Sequence, residues 1–172
     1  MHTDKKHIAE FTLIYNQFKK RIYNYVHKMT LNKEVSADIT QNAFMKLYEK
    51  YHLINDKDSV AAYLFRTARN DVFKYYRNRK VVNSVTIPIQ EDYAIKDDFD
   101  IREKIELDEI HDLVMKILNE IPSEQKETYI LREFGGLNYC EIAVLTDVEE
   151  KTVKSRLFET RRKLINKLKK II

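Results

Sequence analysis

The fold turns on the stretch Gly135-Gly136-Leu137-Asn138-Tyr139-Cys140-Glu141-Ile142-Ala143-Val144-Leu145-Thr146-Asp147-Val148-Glu149-Glu150-Lys151-Thr152-Val153-Lys154-Ser155-Arg156-Leu157. The two glycines end a preceding helix. Asn138 and Glu141 stand three apart, the spacing at which a polar side chain and an acid reciprocally cap a helix start. They open a short helix over Tyr139–Thr146, Asp147-Val148-Glu149 makes a tight turn, and a longer helix runs from Glu150 to about Lys170. A short helix, a three-residue turn and a longer helix, with small Ala143 where the two must pack, predict a helix-turn-helix.

At 100° per residue the longer helix turns Val153, Leu157, Leu164 and Leu168 inward. The opposite face carries Lys151, Thr152, Ser155, Phe158, Glu159 and Arg162. Lys154 and Arg156 fall on its flanks, where a helix in the major groove reaches phosphates, while Ser155 and Thr152 are candidate base readers.

Upstream, Ile8, Phe11, Ile14, Tyr15, Phe18, Ile22, Tyr25, Val26 and Met29 recur at helical spacing. A second helix follows Asn32, with Ser36 as its expected N-cap and Ile39, Ala43, Leu47, Tyr48 and Tyr51 as its stripe. Residues His52 to Ser59 have turn chemistry and predict a loop. The third helix, about Val60 to Lys80, sets Leu64, Ala68, Val72 and Tyr75 against an opposite face of Tyr63, Arg66, Arg69, Asn70, Lys74 and Arg77. Its cations suit phosphates, and Asn70 could read a base edge. Periodicity vanishes over residues 82–98 and resumes at Ile101; it stops at Ile121-Pro122, and Ser123 is expected to cap the next helix up to Phe134.

Only two glycines and two prolines interrupt 172 residues, which favours an all-α chain. Its net charge of +4 is unevenly spread. Residues 1–80 hold 16 Lys and Arg against 8 Asp and Glu, residues 81–120 hold 4 against 11, and residues 121–172 hold 11 against 8. Basic ends suit a polyanion, and the acidic middle would be repelled by one. The expected organisation is a basic domain over 1–81, an acidic linker over 82–98 and a second helical domain over 99–172.

Enzyme chemistry finds no foothold. His2, His7, His27, His52 and His111 are scattered without metal-ligand spacing, no glycine-rich phosphate loop exists, and the single cysteine, Cys140, can form neither an internal disulfide nor a multi-cysteine site. No catalytic residue, metal, cofactor or small-molecule substrate is expected. An inert Cys140 is favoured over a redox sensor. The absence of an apolar membrane span or signal-like start predicts a cytoplasmic protein.

Two segments carry a resemblance. Ala37-Asp38-Ile39-Thr40-Gln41-Asn42-Ala43-Phe44, with Tyr63-Leu64-Phe65-Arg66-Thr67-Ala68-Arg69-Asn70, resembles the second conserved region of extracytoplasmic-function sigma factors. Leu131 to Ala143, with Thr152-Val153-Lys154-Ser155-Arg156-Leu157, is similar to their fourth. The resemblance implies a bacterial transcription initiation factor whose partners are core RNA polymerase, promoter DNA and an anti-sigma factor. It implies that Asp38, Gln41 and Asn42 lie near the polymerase contact. Arg66, Arg69, Asn70, Lys74 and Arg77 would meet the downstream (−10) element, and the loop with Asn55 and Asp56 would capture a flipped base, a step costing a few kcal/mol of stacking. Arg132, Lys151, Thr152, Lys154, Ser155, Arg156, Phe158, Glu159 and Arg162 would read the upstream (−35) element. Glu159 departs from the basic residue often found there and either alters base preference or faces solvent. Asp147 replaces a usual glycine, which a residue tolerant of left-handed backbone permits.

The linker fits the same frame. Its 17 residues reach at most about 56 to 61 Å, and a spacer of about 17 base pairs spans about 58 Å. The resemblance implies passage through the polymerase channel, where its acids could mimic nucleic acid. A competing reading is a dimeric helix-turn-helix repressor or activator on a symmetric operator, which leaves the basic face of the third helix without a role.

Overall fold

The computed structural model describes residues 2–54, 56–82 and 101–171, and among these every regular element is helical. The elements are α1 (His2–Thr30), α2 (Lys33–Lys50), a 3-10 turn (Tyr51–Leu53), α3 (Lys57–Val82), α4 (Ile101–Asn119), α5 (Ser123–Glu133), α6 (Tyr139–Thr146) and α7 (Glu150–Leu168). The chain divides into two compact units, α1–α3 and α4–α7. Asn55 and residues 83–98 of the acidic segment lie outside the described residues, and α3 runs to Val82, the first residue read as linker.

In the first unit, Phe18, Ile22, Tyr25, Val26 and Met29 of α1 meet Ile39, Ala43, Phe44 and Leu47 of α2 and Val60, Leu64, Phe65, Ala68 and Val72 of α3, all buried. Burial of each of the larger aliphatic and aromatic side chains among them stabilises the fold by about 1.5–3 kcal/mol, and Ala43 and Ala68 let the helices approach closely. The stripes are as the spacing predicts, with shifts at the edges. Ile8 and Tyr48 are exposed, whereas Phe44 and Phe65 are buried.

Two caps differ from expectation. Asn32, not Ser36, caps α2: its backbone is extended and its Oδ1 accepts from the Val35 N–H at 3.0 Å. Ser36 lies wholly buried inside the first turn, its hydroxyl shared with Thr30 Oγ1 at 2.9 Å. At the start of α5, the Pro122 carbonyl accepts from the N–H groups of Gln125 and Lys126, so Pro122 holds the cap place and Ser123 is the first helical residue. A proline there forgoes only an N–H that no helical carbonyl would have met.

The segment expected as a loop is partly ordered by its neighbours. Tyr51 packs edge-on to Phe11, ring centroids 6.1 Å apart, and the Ile54 N–H reaches the Tyr51 carbonyl to close one 3-10 turn. Asp56 then caps α3, accepting from the Ser59 N–H at 2.7 Å and the Ser59 hydroxyl at 2.6 Å.

The second unit has Leu118, Ile130, Leu131, Ile142, Val153 and Leu157 at its centre, with Met115, Ile117 and Leu164 joining α4 to α7. The Asn138–Glu141 capping box forms as the spacing predicts, at 2.8 Å for the Glu141 N–H to Asn138 and 2.6 Å for the return bond. Asp147 ends α6 in the left-handed region at φ 56°, and Ala143, nearly buried, lies beneath α7.

Candidate nucleic-acid interface

On α3, Arg66, Asn70, Lys74 and Arg77 recur every three or four residues and are all exposed, directly opposite the buried Leu64, Ala68 and Val72. Arg69 flanks them, half-buried, with its guanidinium 4.5 Å from the centre of the Phe73 ring. Asp56 sits at the N-terminus of the same helix, where its carboxylate is engaged in capping. Tyr63 leans back to α2, its hydroxyl donating to the Lys46 carbonyl at 3.4 Å. Tyr75 and Tyr76 are both half-buried and pack edge to face; Tyr76 donates to the Met29 carbonyl of α1, and burial pushes its phenol above the usual range.

Asp71 is the exception to this basic helix. It faces α2, accepting from Asn42 Nδ2 at 2.6 Å and from Lys46 Nζ at 3.3 Å. The structure therefore separates the three residues assigned to polymerase contact. Asp38 and Gln41 are exposed on α2, whereas Asn42 is half-buried and turned to α3.

In the second unit α7 exposes Lys151, Lys154, Ser155, Phe158 and Arg162, with Thr152, Arg156 and Glu159 half-buried. Phe158 is 63% exposed, an aromatic left outside the core. The Glu159 carboxylate is neither free nor aimed at solvent alone: Arg162 holds it at 2.7 Å, so one acid and one base of this face neutralise each other. Lys154 meets Glu150 at 2.8 Å, and that hydrogen bond holds its ammonium above the usual lysine range. Arg132, at the last turn of α5, donates from Nη1 to the Leu137 carbonyl at 2.8 Å and joins the same surface.

Tyr139, read from sequence only as the first residue of α6, stands among these cations. Arg132 Cζ lies 5.1 Å and Lys154 Nζ 5.7 Å from the centre of its ring. Arg161 pairs with Glu133 at 2.8 Å, and that hydrogen bond is the largest cause holding its guanidinium pKa above the usual range. Tyr139 is seven residues after Arg132 and fifteen before Lys154, but each of the three stands on a different helix, so spacing along one helix says nothing of their meeting. Among the described residues no group of His, Cys, Asp and Glu is placed to hold a metal, and no helix is long and apolar enough to cross a membrane. Cys140 is exposed.

Two exposed faces rich in Lys and Arg thus lie on separate helical units, each backed by an apolar stripe. The sigma-70 region 2 family model matches residues 14–81, nearly all of α3 included, and the sigma-70 region 4 model matches residues 111–164, which take in α6 and most of α7. Among curated relatives, the ECF RNA polymerase sigma factor SigM of Bacillus subtilis (strain 168) is 29% identical over 153 residues, 88% of this chain and 90% of the relative. The ECF RNA polymerase sigma-E factor of Escherichia coli (strain K12) is 25% identical over 169 residues, 94% of this chain and 88% of the relative. Among solved structures, the sigma factor RpoE of Bartonella quintana, in complex with the anti-sigma factor NepR, shares the fold at TM-score 0.69 and 22% identity, over 96% of this chain and 98% of that one. CnrH, in complex with the cytosolic domain of CnrY, does so at 0.64 and 17%, over 92% and 87%. The chain belongs to the extracytoplasmic-function sigma factors of the sigma-70 superfamily, a regulatory family without catalysis of its own, and it is an alternative RNA polymerase sigma factor.

Proposed function

We propose that the two basic faces divide promoter recognition between them. The first unit, residues 1–81, binds core RNA polymerase through the exposed Asp38 and Gln41 of α2. It meets the downstream element through Arg66, Arg69, Asn70, Lys74 and Arg77, with the loop before Asp56 taking an extruded base. The second unit, residues 99–172, reads the upstream element: Arg132, Lys151, Lys154, Arg156 and Arg162 reach phosphates, and Thr152, Ser155 and Phe158 reach base edges. The observation that carries this reading is the exposed stripe Arg66-Asn70-Lys74-Arg77, a second nucleic-acid face that a protein using only its helix-turn-helix would not need.

On this reading the acidic segment over residues 82–98, which DNA would repel, passes through the polymerase channel, and neutralising Glu91, Asp92, Asp97 and Asp98 is expected to lower run-off transcription. The protein works in the cytoplasm, and an anti-sigma factor is a further partner, as the RpoE structure above is a complex with the anti-sigma factor NepR.

The test is transcription by core polymerase with and without the protein, across promoters with varied paired elements. Transcripts that require the protein and both elements are expected. Absence of core binding, with the protein alone footprinting a two-fold symmetric site, overturns the reading in favour of a repressor or activator.

A further inference from the structure

We propose that Tyr139 is the positioning residue of the upstream-element interface, holding Arg132 and Lys154 at a fixed separation through the face of its ring. The proposal rests on the reading of α5–α7 as that interface. Arg132 comes from the end of α5 and Lys154 from the second turn of α7, and the Tyr139 ring is what they share, at 5.1 Å and 5.7 Å. A cation within about 6 Å of a ring centre is attracted by the negative face of the π system.

Each cation also has a second anchor. Arg132 donates to the Leu137 carbonyl at 2.8 Å, and Lys154 pairs with Glu150 at 2.8 Å. Two points of contact fix the head of a side chain that otherwise samples many rotamers. Less freedom is then lost when DNA arrives. The ring is itself held at its base: Asn138 and Glu141 lock the first turn of α6 on which it sits. The capping box thus orients an aromatic platform, and the platform spaces two phosphate-seeking cations that come from different helices.

The experiment uses full-length protein in holoenzyme with a promoter fragment that the wild type transcribes. Tyr139→Leu keeps an apolar residue at the helix start but removes the π face; Tyr139→Phe keeps the face and loses only the hydroxyl. Tyr139→Leu is expected to weaken binding about five-fold, with Tyr139→Phe close to wild type. The dependence of affinity on salt should keep its slope in Tyr139→Leu, because no charge is removed, whereas Arg132→Ala or Lys154→Ala lowers it by about one unit. In the Arg132→Ala, Lys154→Ala background the effect of Tyr139→Leu should vanish.

Undiminished binding by Tyr139→Leu overturns the proposal, as does equal loss in Tyr139→Phe, which would assign the effect to the hydroxyl. Loss that persists in the double-alanine background also overturns it, since the ring would then act on DNA or on the fold directly. Wild-type holoenzyme that is insensitive to both Arg132→Ala and Lys154→Ala overturns the reading of the interface itself, a result separate from these.

Discussion

Asn42 Nδ2 donates to Asp71 Oδ2 across 2.6 Å, tying α2 to the one acidic residue within the basic run of α3. Lys46 closes the same carboxylate at 3.3 Å, and the Asp71 side chain is only 17% exposed. Removing the acid leaves an amide and an ammonium without their acceptor. Asp71→Ala is expected to lower the unfolding free energy by about 2 kcal/mol, read from urea denaturation, with Asp71→Asn losing less. Because Asn42 is turned inward, Asn42→Ala should move that midpoint while changing core-polymerase affinity less than about two-fold. Asp38→Ala and Gln41→Ala should do the reverse.

The exposed stripe of α3 contains two kinds of group, and substitutions should separate them. Lys74→Ala and Arg77→Ala are each expected to weaken holoenzyme binding on every promoter alike and to reduce the salt slope by about one. Asn70→Ala should leave the slope unchanged and lose about 1–3 kcal/mol only on fragments with the preferred downstream element. Titrations at several salt concentrations on matched and scrambled fragments distinguish the outcomes.

Glu159 spends its charge on Arg162, 2.7 Å away. In the substitution Glu159→Gln the arginine keeps a hydrogen-bonding neighbour but loses the competing anion. Affinity for upstream-element duplexes should rise several-fold at low salt, irrespective of sequence, and the gain should shrink as salt screens it. A gain confined to one base pair would instead assign Glu159 to base reading.

Leu31 links α1 to α2 with φ 53°, the left-handed region, and its side chain is 49% exposed. A branched, Cβ-bearing residue there is strained by about 1–2 kcal/mol. Leu31→Gly removes the strain and adds disorder to the unfolded chain, so a net gain of about 1 kcal/mol is expected. A raised thermal midpoint in calorimetry checks it.

What could be read from the chain beforehand was whatever depends on neighbours in sequence. The Asn138–Glu141 box and the inward stripe of Val153, Leu157 and Leu164 follow from local spacing and fold as expected, and Asp147 takes the left-handed backbone that the resemblance implied. The cap of α2 did not yield to the same reasoning. Asn32 and Ser36 are both good caps four residues apart, and Ser36 is drawn inside by the Thr30 hydroxyl at the end of another helix. Asp71 and Tyr139 were invisible as site residues for a similar reason. Their partners come from other helices, and periodicity within one helix does not tell which residues of separate helices meet.

Asp56 gives α3 a fixed starting point, since its carboxylate holds the Ser59 N–H and hydroxyl at the first turn. The cap fixes the residue at which α3 begins, while the burial of Leu64, Ala68 and Val72 sets which side of it faces outward. Under the proposed function, residues before Asp56 can diverge without moving Arg66, Asn70, Lys74 and Arg77 to another side of the helix, so that a lineage of such proteins would be free to acquire new promoter vocabularies by editing one short stretch while its grip on the duplex is inherited unchanged.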